Sequence, residues 1–385
     1  MRLIFSARDA AAALYVAPLA ELAAHDPRNK VMVLAQAPAF GILSQAGINP
    51  VFIEAPAVNH PDDPAAAVLL KEAAHWVSDH QPDAVIAGLS SPGQGGIDEA
   101  LLKVAACPTF LLQDFWGEWN PFFNAVPSVF LVLDAAAREL NRQRHGADSF
   151  IMGSPRHACY SRLDIPAIRR TSRAKLNVET TQVIGWFGQS LHHVPGYTAV
   201  IEHWVAAVES LGEKPTVIYK PHPRESEAQR QQTLALLTAN EAVPVRFLEN
   251  WPVEEALIAC DCVCSIMSNC LYDAAYLNFY SQMPLSSPVS VLTSQALLDT
   301  LSPQIAFEAL PYTRLNLADT ILPTDSLAEK LALALSSAGL EKAWLNAGQH
   351  LVSPTAAAAE TLIFIQNFTE QNVRRKQSVC LMEQN

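Results

Sequence analysis

What most constrains this chain is a rhythm. Short apolar runs rich in β-branched residues alternate with segments of helical character. In the first half the runs are residues 3–5, 30–34, 51–53, 84–89, 109–112 and 129–133, separated by helical stretches at 10–24, 38–46, 65–80, from Ile97 onward, and 135–145. Runs this short and this apolar read as strands buried on both faces, and a helix between successive strands returns the chain parallel to itself. The result is a series of βαβ units with right-handed crossovers and their strand-end loops on one edge. On the helix at 10–24, Leu14, Leu19 and Leu22 are expected to face the sheet.

The rhythm restarts after residue 180. Apolar runs at 183–189, 217–219, 245–248, 260–264 and 289–292 alternate with helices at 197–211, 226–240, 252–259, 270–277 and 294–301; Trp204 and Val208 supply an apolar helix face. A length of 385 residues exceeds one ordinary core. The expected domains are 1–165, a basic linker 166–180 carrying Arg169, Arg170, Arg173 and Lys175, a second domain 181–350, and a closing helix and tail 351–385. The fold class is α/β, with two doubly wound Rossmann-like halves.

Composition narrows the function. A formal net charge of −12, with no long basic run, argues against nucleic-acid binding. Charged residues are only 17% of a chain that is half apolar, so sizeable cores are expected. No uncharged apolar run reaches the ~20 residues of a membrane span, and the start of the chain lacks a cleavage pattern. The expectation is a cytoplasmic protein, compatible with peripheral contact at the inner face of a membrane. Seven cysteines, an odd number, do not suggest a disulfide framework. Alternation puts Cys260, Cys262 and Cys264 on one face of a strand. That spacing is not a zinc knuckle and reads as small buried hydrophobes.

Candidate chemistry gathers at strand ends, where open α/β sheets bind ligands. The run 217–219 leads into Lys220-Pro221-His222-Pro223-Arg224-Glu225, which places three basic groups on a proline-stiffened loop suited to phosphate. The cysteine strand leads into Ser265-Ile266-Met267-Ser268-Asn269 and a helix carrying Asp273. Such a hydroxyl-rich helix start can cap the helix or hold a phosphate. Gly185 and Gly188, followed by Gln189, let backbone approach a ligand. In the first half, Gln113-Asp114-Phe115-Trp116-Gly117-Glu118-Trp119-Asn120 combines carboxylates with rings. A carboxylate among rings can serve as a general base, and rings can stack on sugar faces. Ser6 and Arg8, after the first strand, and Ser91, in Ser90-Ser91-Pro92-Gly93-Gln94-Gly95-Gly96, complete the expected acceptor contacts with Trp116 and Trp119. Neither G-x-G-x-x-G nor a P-loop motif occurs.

Two doubly wound halves followed by closing helices resemble the GT-B glycosyltransferase fold, in which two Rossmann-like domains face a central cleft. Lys220-Pro221-His222-Pro223 and Ser265-Ile266-Met267-Ser268-Asn269 look like the His-Pro and serine motifs of bacterial sialyltransferases, polysialyltransferases and CDP-glycerol glycerophosphotransferases. Ile4-Phe5-Ser6-Ala7 and Gly153-Ser154-Pro155 are similar to lipid-A-disaccharide synthases. The resemblance implies that His222, Ser265 and Ser268 hold a nucleotide's phosphate. Lys220, Arg224, Gly188, Gln189, Asn269 and Asp273 would surround it, with Asp114 or Glu118 as base. It implies a metal-independent transferase using a nucleotide sugar, with no further cofactor and a glycan or lipid-linked acceptor, in cell-surface polysaccharide or glycoconjugate synthesis. The alternatives are a non-hydrolysing nucleotide-sugar 2-epimerase and a catalytically inactive binding protein of the same fold. The chain departs from the pattern in lacking a clear Asp/Glu-Asp/Glu-Gly base motif.

Overall fold

The computed structural model describes residues 1–239, 243–302 and 310–382. The chain divides into two compact units, Met1–Ala158 with Val352–Asn385, and Cys159–Leu351. Each is built on one parallel sheet, giving the doubly wound α/β class expected from the alternation.

The first unit contains β1 (Arg2–Ala7), β2 (Lys30–Ala35), β3 (Val51–Phe52), β4 (Ala84–Gly88), β5 (Thr109–Leu112), β6 (Val129–Val132) and β7 (Ser149–Ile151), in the order β3-β2-β1-β4-β5-β6-β7. Its helices are α1 (Ala10–His25), α2 (Ala39–Gln45), α3 (Pro64–His80), α4 (Ile97–Val104) and α5 (Ala135–His145). The winding direction reverses between β1 and β4. Helix α1 lies so close to the sheet that a Cβ on Gly88 would stand 2.6 Å from the Ala12 Cβ. Small residues make that approach, so the buried face is Ala12, Ala13, Tyr15, Val16, Leu19, Ala20 and Ala23. Leu14 and Leu22, expected on the sheet side, are 41% and 38% exposed, because the narrow alanine face displaces them outward.

The second unit contains β8 (Val183–Phe187), β9 (Thr216–Lys220), β10 (Val245–Phe247), β11 (Cys262–Ser265), β12 (Ser287–Val291) and β13 (Asp319–Ile321), in the order β10-β9-β8-β11-β12-β13. Its helices are α6 (Ile165–Leu176), α7 (Tyr197–Ser210), α8 (Glu227–Leu237), α9 (Val253–Ala259), α10 (Cys270–Tyr280), α11 (Gln295–Leu301), α12 (Pro311–Arg314), α13 (Leu327–Leu335) and α14 (Ser337–His350). Asn240, expected to end α8, lies outside the described residues. Here the reversal falls between β8 and β11. Trp204 and Val208 are buried, with Trp204 against Trp186 at 5.2 Å between ring centroids. Cys260, Cys262 and Cys264 are all buried, and the Cys262 and Cys264 side chains, on one strand face, turn toward each other so that their sulfurs lie 3.5 Å apart.

The stretch expected as a linker at 166–180 is largely helix α6. Its basic residues account for this. Arg169 and Arg173 both reach the Asp261 carboxylate and the carbonyls of Ile258, Ala259 and Cys260 at the end of α9. Two guanidiniums spent on one carboxylate and a helix C-terminus fasten α6 to the second unit. The closing helix α15 (Pro354–Met382) belongs to the first unit. Its Phe364 stacks on Phe150 at 4.1 Å and its Phe368 meets Phe110 edge-on at 5.6 Å. Residues 383–385 lie outside those described. Among the described residues no helix is long and apolar enough to cross a membrane.

Candidate functional site

In the second unit, β8 and β11 flank the point where winding reverses, and β9 lies beside β8. An open parallel sheet leaves a crevice at such a point, outside the carboxyl ends of its strands. The loops there are Gly188–Gly196 after β8, Pro221–Ser226 after β9, and Ile266–Asn269 after β11.

The loop after β9 is held from beneath. Glu225 is fully buried; its carboxylate accepts the backbone N–H of His222 and, at 3.1 Å, the hydroxyl of Tyr219. Pro221 and Pro223 remove two backbone donors and stiffen the turn. His222 is half-buried, and its Nδ1 accepts the Arg224 backbone N–H at 3.1 Å. Burial, helped by the nearby Arg224 charge, lowers the His222 pKa. A neutral ring with Nδ1 accepting carries its proton on Nε2, which makes Nε2–H a donor for a ligand. Lys220 donates to the Glu249 carbonyl at 2.8 Å, and burial lowers its pKa too. The exposed Arg224 guanidinium makes no ion pair among the described residues.

Several residues expected to touch a nucleotide are instead spent within the sheet. Ser265 is buried, and its hydroxyl donates to the Phe187 carbonyl at 2.7 Å, tying β11 to β8. Gln189 accepts the Met267 N–H at 2.9 Å and so braces the loop after β11. The space above Gly188 is not open. A Cβ there would lie 2.4 Å from the Glu225 carboxylate, so the glycine makes room for that side chain. The helix start does present polar groups. Ser268 Oγ accepts the Cys270 N–H at 3.2 Å, and Asn269, at the N-cap position of α10, makes no capping bond. Its Oδ1 is buried without a hydrogen-bond partner among the described residues. Asp273 sits buried in the first turn of α10.

In the first unit the corresponding crevice lies between β1 and β4. A polar network fills it. Ser6 and Ser90 each donate to Asp98 at 2.6 Å, and the Arg8 backbone N–H donates to the same carboxylate at 2.9 Å. The buried Arg8 guanidinium binds the Ser91 carbonyl at 3.0 Å and Gln94 Oε1 at 3.1 Å. Ser91 gives both its N–H and its hydroxyl to Asp9, at 2.7 and 2.6 Å. Glu99 accepts the Gly96 backbone N–H at 2.7 Å at the start of α4, and Asn120 donates to Glu99 at 2.9 Å. Burial raises the pKa of Asp98, and burial with Asp98 repulsion pushes Glu99 up to about 8. The expected acceptor residues Ser6, Arg8 and Ser91 therefore brace the loops after β1 and β4.

The tryptophans expected to stack on sugar also turn inward. Trp116 is buried and donates its Nε1–H to Asp134 at 2.7 Å. Trp119 packs edge-on against Phe130 and His145. Large rings four and seven residues past the end of β5 are drawn into the core beside α5 by the apolar area they hide. Glu118 faces Arg144, and burial raises its pKa. Asp114 is different. It stands just past the end of β5, half-buried, and no other described side chain hydrogen-bonds its carboxylate. Burial, with repulsion from Glu118 and Asp9 and only partial relief from its own backbone N–H and from Arg156, pushes it up to about 7.

Sequence reading missed the anchors Asp9, Asp98, Glu99 and Glu225. The one signal available was spacing: Glu99 lies three residues after Gly96, the interval at which a glutamate can reach back to the backbone N–H that starts its helix. Among the described residues no cluster of three His, Cys, Asp or Glu side chains is arranged to hold a metal.

No protein-family model matches the chain, and no curated protein sequence does. Solved structures do. A putative UDP-N-acetylglucosamine 2-epimerase from Listeria monocytogenes superposes with a TM-score of 0.69 at 13% identity, over 96% of this chain and 97% of that one. A UDP-GlcNAc 2-epimerase from Neisseria meningitidis bound to UDP-GlcNAc gives 0.65 at 11%, over 96% and 100%. MurG from Acinetobacter baumannii gives 0.61 at 15%, over 95% and 99%. At these identities the likeness is one of fold: this chain has the GT-B-like architecture of two Rossmann-like, parallel-sheet domains.

Proposed function

We propose that this protein is a nucleotide-sugar enzyme, with the nucleotide's phosphates held by the second unit and the acceptor served by the first. The observation that carries the reading is the state of His222. Its Nδ1 already accepts the Arg224 N–H and burial lowers its pKa, which leaves Nε2–H to donate to a ligand, on the sheet edge shared with the start of α10. Such a donor can meet a phosphate oxygen and stabilise the charge that grows there as the glycosidic bond to phosphate breaks. Lys220, Arg224, Ser268 and Asn269 line the same edge, and the positive end of α10 adds to the field. In the transfer reaction an acceptor hydroxyl attacks the anomeric carbon, the carbon–oxygen bond to phosphate breaks, and the nucleotide leaves with the electron pair. Asp114 takes the hydroxyl proton; its pKa near 7 suits a general base. The proposed acceptor is a glycan or lipid-linked sugar of cell-surface polysaccharide synthesis.

A second reading has its own support. One of the superposed structures is a UDP-GlcNAc 2-epimerase bound to UDP-GlcNAc, and a carboxylate with a pKa near 7 can equally remove a proton from carbon. Incubating the protein with UDP-N-acetylglucosamine and no acceptor separates the two: formation of the 2-epimer identifies the epimerase, whereas slow release of UDP and free sugar identifies the transferase.

Binding is tested by thermal shift with CMP, CDP, UDP, GDP and their sugars, since a ligand of the native state raises the melting point. His222→Ala is expected to leave the ligand-free melting point within a few degrees and to weaken the best nucleotide at least tenfold, the effect of about one charge-assisted hydrogen bond. Unchanged affinity across the panel would sink the phosphate assignment.

A further inference from the structure

We propose that Glu225 is a positioning residue that fixes the tautomer and aim of His222 and locks the turns after β8 and β9 into one platform. The carboxylate is fully buried, and among the described residues only His192 comes within ion-pair distance, at 4.0 Å. Burial raises its pKa. A carboxyl placed at such cost, when an apolar side chain would fill the space, serves a geometric purpose. The contacts show which. One oxygen accepts the His222 backbone N–H, the other the Tyr219 hydroxyl at 3.1 Å, and both lie against Gly188, at 2.4 and 3.0 Å from where a Cβ would be. The Glu225 N–H closes the turn on the His222 carbonyl at 2.9 Å. Both backbone groups of His222 are thereby held by Glu225. With the backbone fixed, the Arg224 N–H stays aimed at Nδ1, and the ring proton stays on Nε2. Glu225 itself touches no ligand; it acts through His222 and the backbone of Gly188.

The role rests on the nucleotide reading only for its affinity readout, so two measurements are paired. The first is NMR of the full chain with isotope-labelled histidine, the His222 ring signals being those absent from His222→Ala. Near neutral pH the wild type is expected to show one fixed tautomer protonated on Nε2. Glu225→Ala, and separately Gly188→Ala, which pushes the carboxylate aside, are expected to abolish it, the two ring-nitrogen shifts moving toward each other. Gly188→Ala is expected to be tolerated better in the Glu225→Ala background, where its methyl has room. Unchanged His222 signals in a folded Glu225→Ala overturn the proposal; if that variant does not fold, unchanged signals in Gly188→Ala do so. The second measurement is UDP affinity. Glu225→Gln is expected to weaken it about tenfold in the wild type and not at all in His222→Ala, since one acts through the other. Additive losses overturn the proposal. If the ring signals respond as expected but UDP affinity is the same with and without His222, the positioning role stands and the nucleotide reading falls.

Discussion

Asp114→Asn is expected to lower kcat for the nucleotide-sugar reaction by about 10²- to 10⁴-fold, the usual contribution of a general base. Nucleotide affinity should not change, because every nucleotide contact proposed lies on the second unit. In the wild type the rate should rise with pH and level off above about 7, as the base ionises. The asparagine variant should lose that limb. Stability gives an independent check. The folded pKa of Asp114 is raised, so its stabilising form is the protonated one. That contribution is full below the unfolded value of about 4 and is lost as pH rises through about 7. At about pH 8 the wild type carries a charge that the fold disfavours, and Asp114→Asn should be the more stable protein. The carboxyl is only half-buried, so screening reduces the gain to about 1–2 kcal/mol. A variant with wild-type turnover and an unchanged pH profile would remove Asp114 from the reaction.

The second large effect concerns the fold. Asp261→Ala is expected to destabilise the second unit by about 3–5 kcal/mol, because it strands two partly buried guanidiniums. Arg169 and Arg173 both bind this carboxylate, and the Val183 N–H donates to it at 2.7 Å, so α6, β8 and the start of β11 share one anchor. In a unit of this size each kcal/mol moves the melting point by about 2–4 °C, so a fall of roughly 6–20 °C should appear by calorimetry. Asp261→Asn keeps the shape and part of the hydrogen bonding and should cost less. Below the transition, nucleotide binding should survive, since the anchor is distant in function from His222. A wild-type melt for Asp261→Ala would mean that α6 is held by its apolar face, Ile165 and Leu176, alone.

Much of the architecture was legible in the residues. Most strands announce themselves as short apolar runs because burial on both faces leaves few polar positions to blur them, whereas the short edge strand β13, Asp-Thr-Ile, gave no such run. The side chains that start several helices, Asp63 before α3, Asp134 before α5 and Ser226 before α8, were found only in the structure, where each accepts a backbone N–H of its helix. The stretch 166–180 misled because four basic residues look like a solvated connector. Only the position of Asp261, some ninety residues later in the chain, turns two of them inward.

The site was less legible, because the internal partners of its residues lie far off in the chain. Ser6, Arg8, Ser265, Gln189, Trp116 and Trp119 have the side chains of ligand contacts, but hydroxyls, amides and rings serve a fold equally well. Which use they are put to depends on the nearest partner. Ser265 finds the Phe187 carbonyl, Trp116 finds Asp134, and Arg8 finds the loop after β4. Each partner is remote in sequence and adjacent only in the folded sheet.

The sequence by itself determined the two-part parallel architecture, because periodicity and burial are local properties of a strand or helix. It also determined that basic and hydroxyl-bearing residues sit at strand ends. The tertiary structure alone decided which of them are available. The His222 backbone N–H is held by Glu225 and its Nδ1 by the Arg224 amide, and the Asp114 pKa is pushed up to about 7 because the surrounding fold desolvates it and sets other carboxylates nearby. Availability and protonation depend on what surrounds an atom in space, and no pattern along the chain encodes that directly.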